Sequence, residues 1–328
     1  MLIKQRNKNK EIIGLTALEK RLRKDDRNRQ RIKEKLYNLE AGYGGECQYD
    51  KYLTEFKPRY PHAILHDVTL IYDNIYFQMD SLLITPSFIM ISEVKNIAEK
   101  IIVKSNPLQF IKEYTSGQRI PLRSPIAEVE RKIHLLGNWL LERNITIPVR
   151  GLVAFAYNNE MQIEEKPDIE IMFTYEVSAY LRSLVINKEI LGRNEIRSLA
   201  YEIYKNHREF NPFPLARRFD IHSAEIIPGV ICRECGRVDM KWQNRNWQCN
   251  SCGRIGKDEH ESAIEDWFML IKTTLTNREF RYFAQLECRH VAKHLLGKAP
   301  TRLVGRGRNA HYELLLEGSR QPKSTLST

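Results

Sequence analysis

No stretch of this 328-residue sequence approaches the ~20 consecutive apolar residues that a membrane-spanning helix needs, so no membrane partner is expected. The opening residues, Met1-Leu2-Ile3-Lys4-Gln5-Arg6, lack the apolar centre of a secretory signal, and the expected compartment is the cytoplasm. Cysteine is scarce, at 6 residues, and four of these fall in two Cys-x-x-Cys pairs. In a reducing compartment that spacing points to a metal before it points to disulfides. Acidic residues are outnumbered, 41 against 52 Lys and Arg, and the formal net charge of +11 favours a polyanionic partner. What is present is sufficient for folded cores: 42% of residues are apolar, and the length allows two or three domains.

Two consecutive strand-like runs, Ile75–Thr85 and Phe88–Lys95, carry Asp80, Glu93 and Lys95. Residues two apart share one face of a strand, so Glu93 and Lys95 project together with Ile89 and Ile91. If Thr85-Pro86-Ser87-Phe88 forms a four-residue loop, Ile84 pairs with Ile89 and the count places Asp80 opposite Glu93. A slip of one residue would send Asp80 to the other face. Two carboxylates meeting across a hairpin can hold Mg²⁺ or Mn²⁺ with positions left for water and phosphate, and a neighbouring ammonium can orient that water or the phosphate. The other reading of Glu-x-Lys is a solvated ion pair. Both runs are otherwise apolar, which predicts a central sheet where a charge needs a partner or a metal.

Upstream, Ala41-Gly42-Tyr43-Gly44-Gly45-Glu46 interrupts a helical pattern, and the glycines predict close backbone approach with Glu46 at a helix start. A plain first-turn acid is the alternative. Gly42-x-x-Gly45-Glu46, then Gln78-Met79-Asp80-Ser81-Leu82-Leu83-Ile84, then Glu93-Val94-Lys95-Asn96 resembles the NERD (nuclease-related) domain, a branch of the PD-(D/E)XK nuclease superfamily. The resemblance covers roughly residues 36 to 160. It implies a metal site built from Glu46, Asp80, Glu93 and Lys95. The family's Asn-Pro-x-x-Gln element corresponds to Ser124-Pro125-Ile126-Ala127-Glu128, a good helix start in which Glu128 replaces the glutamine and adds a carboxylate.

Cys232, Cys235, Cys249 and Cys252 form two knuckles, each followed by Gly-Arg. Thiolates three apart converge on one tetrahedral ion, and the glycine lets the chain turn around the sulfurs, so a structural Zn²⁺ ribbon is expected, closed by a hairpin at Gln243-Asn244-Arg245-Asn246. The ribbon's Arg233, Arg237, Lys241, Arg245 and Arg254 are either phosphate contacts or a solvated surface. Cys47 and Cys288 have no partner pattern and are expected as buried thiols.

Beyond the ribbon, Thr276-Asn277-Arg278-Glu279 has capping-box spacing and opens a run with Phe280, Phe283 and Leu286 on one side. A second run, with Val291, Ala292, Leu295 and Leu296 apolar, follows, and then two short strands around Gly305-Arg306-Gly307-Arg308. This predicts a helix-turn-helix with a wing, with Arg289, Lys293, Arg306 and Arg308 as nucleic-acid contacts. A helical hairpin with a basic loop is the other reading.

The expected architecture is α/β: a PD-(D/E)XK-like mixed central sheet flanked by helices, plus a zinc ribbon and a winged-helix-like module. The expected divisions are a basic helical extension over 1–35, a nuclease-like domain over 36–215 ending at Asn211-Pro212-Phe213-Pro214, a ribbon over 226–256, a winged-helix-like module over 260–316 and a tail over 317–328. The expected function is metal-dependent hydrolysis of phosphodiester bonds in nucleic acid, DNA foremost. The alternative is a non-catalytic nucleic-acid-binding regulator or adaptor that uses the zinc ribbon and the winged-helix-like module; protein partners are left open.

Overall fold

A computed structural model describes residues 1–105 and 107–315; the tail expected over 317–328 lies outside the described residues. In chain order, β1 (Leu2–Lys4), α1 (Lys10–Arg21) and α2 (Arg29–Leu53) precede β2 (Ala63–Tyr72), β3 (Ile75–Ile84) and β4 (Ile89–Lys95). Then come β5 (Lys100–Ser105), β6 (Leu108–Glu113), β7 (Arg119–Leu122), α3 (Pro125–Leu141), β8 (Val149–Phe155), β9 (Met161–Ile163), β10 (Glu170–Phe173), α4 (Thr174–Ser183) and α5 (Arg193–Asn206). The contacts divide the chain into two compact units, Met1–Lys8 with Asn38–Phe210, and Asn9–Tyr37 with Asn211 onward. The stretch expected as one basic helical extension is thus divided: Leu2–Lys4 is a strand of the first unit, and α1 belongs to the second. Lys4 is buried there, because its ammonium donates to the carbonyls of His66 (3.0 Å) and Asp67 (2.7 Å).

The first unit is the mixed α/β body. Its main sheet runs β1-β2-β3-β4-β8-β10, with β2, β3 and β4 antiparallel and β4, β8 and β10 parallel. The β3–β4 loop closes as the spacing predicts. Ile84 pairs with Ile89, and Thr85 Oγ1 donates to the Phe88 carbonyl at 2.7 Å while accepting from the Phe88 amide at 3.0 Å. Alternate residues face opposite layers. Leu82, Ile84, Ile89 and Ile91 pack with Leu136 and Trp139 of α3 and with Leu199 and Ile203 of α5; Leu83, Met90 and Val94 pack with Tyr49 and Leu53 of α2 and with Leu181 of α4. Both faces are therefore covered, and six of the seven residues of β4 are buried. A smaller sheet, β7-β6-β5-β9, joins α3 and β8 through Ile101, Val103, Phe110 and Phe155.

Contrary to the expectation from the sequence, the glycines before Glu46 do not start a helix. They lie inside α2, which runs unbroken from Arg29 to Leu53. Glycine carries a helix-interior penalty of about 0.5–1 kcal/mol, which only packing can offset. At Gly45 the reason is visible: a Cβ there would stand 2.8 Å from Asn96 Cβ and 3.0 Å from Ala156 Cβ, so the missing side chain lets α2 settle on the ends of β4 and β8. Asn96 then donates to the Ala41 carbonyl at 2.8 Å, and the Tyr49 hydroxyl donates to Ser92 Oγ at 2.7 Å.

The second unit adds α6 (Leu215–Arg218), a ribbon of β11 (Val230–Ile231), β12 (Val238–Gln243), β13 (Asn246–Cys249) and β14 (Ile255–Gly256), then α7 (His260–Leu270), α8 (Asn277–Ala284), α9 (Arg289–Lys298) and a hairpin of β15 (Thr301–Val304) and β16 (His311–Leu314). Asn244 and Arg245 both take positive φ, 51° and 62°, in the two-residue turn that pairs Gln243 with Asn246. The apolar faces read for the last two helices are the buried ones: Phe280, Phe283 and Leu286, then Ala292, Leu295 and Leu296. Arg21 of α1 is fully buried, paired with Asp266 of α7 at 2.7 Å and bonded to the carbonyls of Ile227 and Gly229. Cys288, expected as buried, is exposed just before α9, and Cys47 is half-buried. Among the described residues no helix is long and apolar enough to cross a membrane.

Gly42 has open space where Gly45 has none, so one substitution in one helix should act with opposite signs. Gly42→Ala is expected to raise unfolding free energy by about 0.5–1 kcal/mol. Gly45→Ala is expected to lower it by about 1–3 kcal/mol through overpacking. Urea denaturation of the two variants beside the parent checks the contrast.

Candidate active site

The register that closes the β3–β4 loop continues to Ser81 paired with Ser92 and stops there. At the next position Asp80 Oδ2 accepts a hydrogen bond from the Val94 amide at 2.8 Å, so a carboxylate replaces the ladder where the two strands part. Beyond that point β4 stays paired with β8, as far as Lys95 opposite Phe155. Glu93 lies on the α3 side, against Lys132; the paired register stops one residue short of Asp80, and the faces shift there, since Met79 and Leu82 both belong to the core that α3 covers.

That helix supplies the remaining charges. Pro125 and the Ser124 cap start α3 where the sequence indicated, and Glu128 and Lys132, four apart, lie on one side of it. Lys95 Nζ sits 2.8 Å from Glu93 Oε1 and 2.7 Å from Glu128 Oε2, while Lys132 Nζ pairs with Glu93 Oε2. Two acids and two lysines interlock across strand and helix. Asp80 is 8% exposed and Glu93 4%.

Glu46 reaches this region from α2, on the other layer. Its link is Arg6, just past β1: Nη1 donates to Glu46 Oε2 at 2.7 Å, Nη2 to the Asp80 carbonyl at 2.7 Å, and Nε to Asp50 Oδ2 at 2.9 Å. His66 Nδ1 lies 3.1 Å from Asp50 Oδ1. Arg6, Asp50 and Lys132 escaped the sequence reading. Lys132 could have been found from its i+4 spacing to Glu128; Arg6 follows a three-residue strand and carries no local signal.

Charge compensation is uneven across the site. Burial, with Glu93 nearby, pushes Asp80 up to about 6, although Lys132 and the Val94 amide oppose the shift. Burial and then Asp80 push Glu46 up to about 8, against the pull of Arg6. Burial acts on Glu93 too, but Lys132 and Lys95 outweigh it and hold that carboxyl below its ordinary value. Burial works against the charge of Lys95, yet Glu93 and Glu128 keep it above the usual lysine range. Burial lowers His66 to about 4. Asp80 and Glu46 are therefore carboxylates the fold leaves short of positive charge. Oxygen donors such as those of Asp80 and Glu93 are of the kind a hard divalent cation takes, but among the described residues the acids form no group of three or more at ligand spacing.

In the second unit, the sulfurs of Cys232, Cys235, Cys249 and Cys252 all lie within 4.8 Å of one another, with Cys232–Cys252 at 3.6 Å and Cys235–Cys249 at 3.7 Å. Four thiolates at ~2.3 Å from a tetrahedral ion stand about 3.8 Å apart, so the cluster could hold a metal such as zinc. Three of the ribbon's cations are engaged: Lys241 donates to Gln285 Oε1, and Glu259, 3% exposed, takes Arg233 at 3.1 Å and Arg254 at 3.2 Å, tying both knuckles to one carboxylate. Arg289 and Lys293 are exposed on α9, and Arg306 and Arg308 are exposed in the turn between β15 and β16.

The first unit is thus a mixed α/β domain with a carboxylate pair and a lysine where two of its strands part. Residues 41–156 match the NERD family model, described as the nuclease-related domain. No curated protein and no solved structure matches the chain. The matched span holds Glu46, Asp80, Glu93, Lys95, Glu128 and Lys132, and leaves Arg6 outside.

With its folded value raised from 4.5 to about 8, Glu46 contributes stability that is present below pH 4.5 and lost as the pH rises through 8. Glu46→Gln removes that loss. Without added divalent metal, the stability of the variant relative to the parent is expected to climb between pH 4.5 and 8 and to be flat outside that window. Denaturant melts at pH 5 and pH 9 measure the difference; equal offsets at both would refute it.

Proposed function

We propose that the chain is a divalent-metal-dependent nuclease acting on DNA, with Asp80 and Glu93 as the residues that would hold Mg²⁺ or Mn²⁺. The observation that carries this reading is the pair of buried carboxylates at the parting of β3 and β4 with Lys95 fixed beside them. When bound, the ion would supply Lewis acidity toward a phosphate oxygen and a water of lowered pKa. Lys95, kept charged by its two acids, acts as a cation that positions water or phosphate and not as a proton acceptor. Glu128 holds that ammonium in place, and Arg6 ties Glu46 to the Asp80 backbone from the far layer.

The cysteine cluster serves as a structural Zn²⁺ site, whose closed tetrathiolate set leaves no open position for chemistry. It requires reduced thiols, in keeping with a cytoplasmic setting. The succession α7, a bridge at Leu275–Tyr312, α8, α9 and the β15–β16 hairpin supports a winged-helix reading. Arg289 and Lys293 on the exposed side of α9, with Arg306 and Arg308 in the wing, suit phosphate contacts to DNA. A second reading, a binding regulator without cleavage, is favoured by one observation: both oxygens of Glu93 are already closed by lysines.

Metal-stripped protein given Mg²⁺ or Mn²⁺ is expected to cut supercoiled or single-stranded DNA. Glu93→Gln should lower the rate by roughly 10²-fold or more while DNA affinity is retained. Retained cleavage in that variant would exclude the site, and absence of cleavage by the zinc-loaded parent would favour the regulator. Elemental analysis is expected to find one zinc per chain, lost in Cys235→Ser, and Glu259→Gln should speed zinc release to a chelator. Arg289→Ala with Lys293→Ala should flatten the salt dependence of DNA binding by about one unit of slope each.

A further inference from the structure

Glu93 is the most enclosed acid of the site, and neither of its oxygens is open. Oε1 accepts from Lys95 at 2.8 Å, and Oε2 is closed by Lys132. The two lysines differ in what else holds them. Lys95 is shared with Glu128 at 2.7 Å, whereas among the described residues Glu93 is the one carboxylate within ion-pair distance of Lys132. Its side chain is only 12% exposed, and its charge also acts on Asp80. An ammonium thus sits among the same carboxylates that would receive a divalent ion.

Building on the metal-site reading, we infer that Lys132 is an internal competitor of the divalent metal: it occupies the second oxygen of Glu93 and must let go before Asp80 and Glu93 can share an ion. The exchange is uneven by construction. When an ion takes Glu93, Lys95 keeps Glu128, but Lys132 loses its partner and becomes a buried, unpaired cation on the α3 side of the site. Such a charge is costly unless an anion meets it. The anion available in the proposed reaction is a phosphate of the nucleic-acid backbone. Lys132 therefore couples metal entry to substrate entry: it holds the site closed when both are absent and favours phosphate once metal is present.

The test is Mn²⁺ binding to the full-length, zinc-loaded protein, read by calorimetry or by the electron paramagnetic resonance of free Mn²⁺. If the Lys132–Glu93 pair is closed about nine-tenths of the time, removing it should tighten Mn²⁺ binding about tenfold. Lys132→Met is the first variant; Lys132→Gln, which keeps a polar end, carries the test if the apolar chain disturbs folding. Lys132→Arg keeps the competing charge and should stay within about twofold of the parent. Short DNA should raise Mn²⁺ affinity in the parent and less so in Lys132→Met. Unchanged or weaker Mn²⁺ binding in folded Met and Gln variants overturns the inference. A parent that binds Mn²⁺ through Glu93 but cuts no nucleic acid overturns the nuclease reading alone. Mn²⁺ binding indifferent to Glu93→Gln overturns both.

Discussion

The structure of the first unit depends on neutralising charge where the sheet is driest. A central strand covered on both faces offers no water to an ionised side chain, and an isolated carboxylate there would protonate or disrupt the packing. Here β4 ends in Glu-Val-Lys and β3 presents Asp80 beside it. The surrounding elements are arranged to answer those charges: α3 brings an acid and a lysine one turn apart, and the segment after β1 brings a guanidinium. Removing any one partner would leave another uncompensated, so the site is held together as a network and not as independent pairs.

The parts of this arrangement visible in the sequence are those fixed by counting along one element. The pairing of Ile84 with Ile89 follows from a four-residue loop and carries the register as far as Ser81 with Ser92; the shift of faces at Asp80, which leaves Met79 and Leu82 in one core, could not be counted. The cysteine knuckles are as legible, since residues i and i+3 must converge locally whatever surrounds them. What could not be counted was set by distant chain. Gly45 looks like a helix breaker in the sequence and proves to be a point of contact, explained only by Asn96 and Ala156. Arg6 belongs to the site because three residues before it add a strand to the sheet edge. Arg21 reads as one more basic residue of a solvated helix, and it is buried because Asp266 lies 245 positions away in sequence and beside it in space.

The second unit follows a different economy. Its sheets are short, and its order rests on a few anchors: the cysteine cluster, the Glu259 carboxylate shared by two arginines, and the Arg21–Asp266 pair, over which the ring of Phe283 lies 4.5 Å from the guanidinium. Buried charge here ties elements together, and burial still raises Asp266 above its ordinary value although Arg21 opposes the shift.

The amide of Val94 has an unusual position in the hydrogen-bond pattern: it lies on a buried central strand and yet is held by a side chain, Asp80 Oδ2, instead of by a neighbouring strand. Its protection from solvent exchange is therefore tied to the state of one carboxylate and not to the breathing of the sheet. Protonating Asp80, or drawing its oxygen toward an ion, loosens this one amide while the protection of Ile91 and Leu82 is untouched. The protein thus carries within its backbone a native isotope-exchange probe, needing no label or substrate, for whether its acidic pocket is engaged.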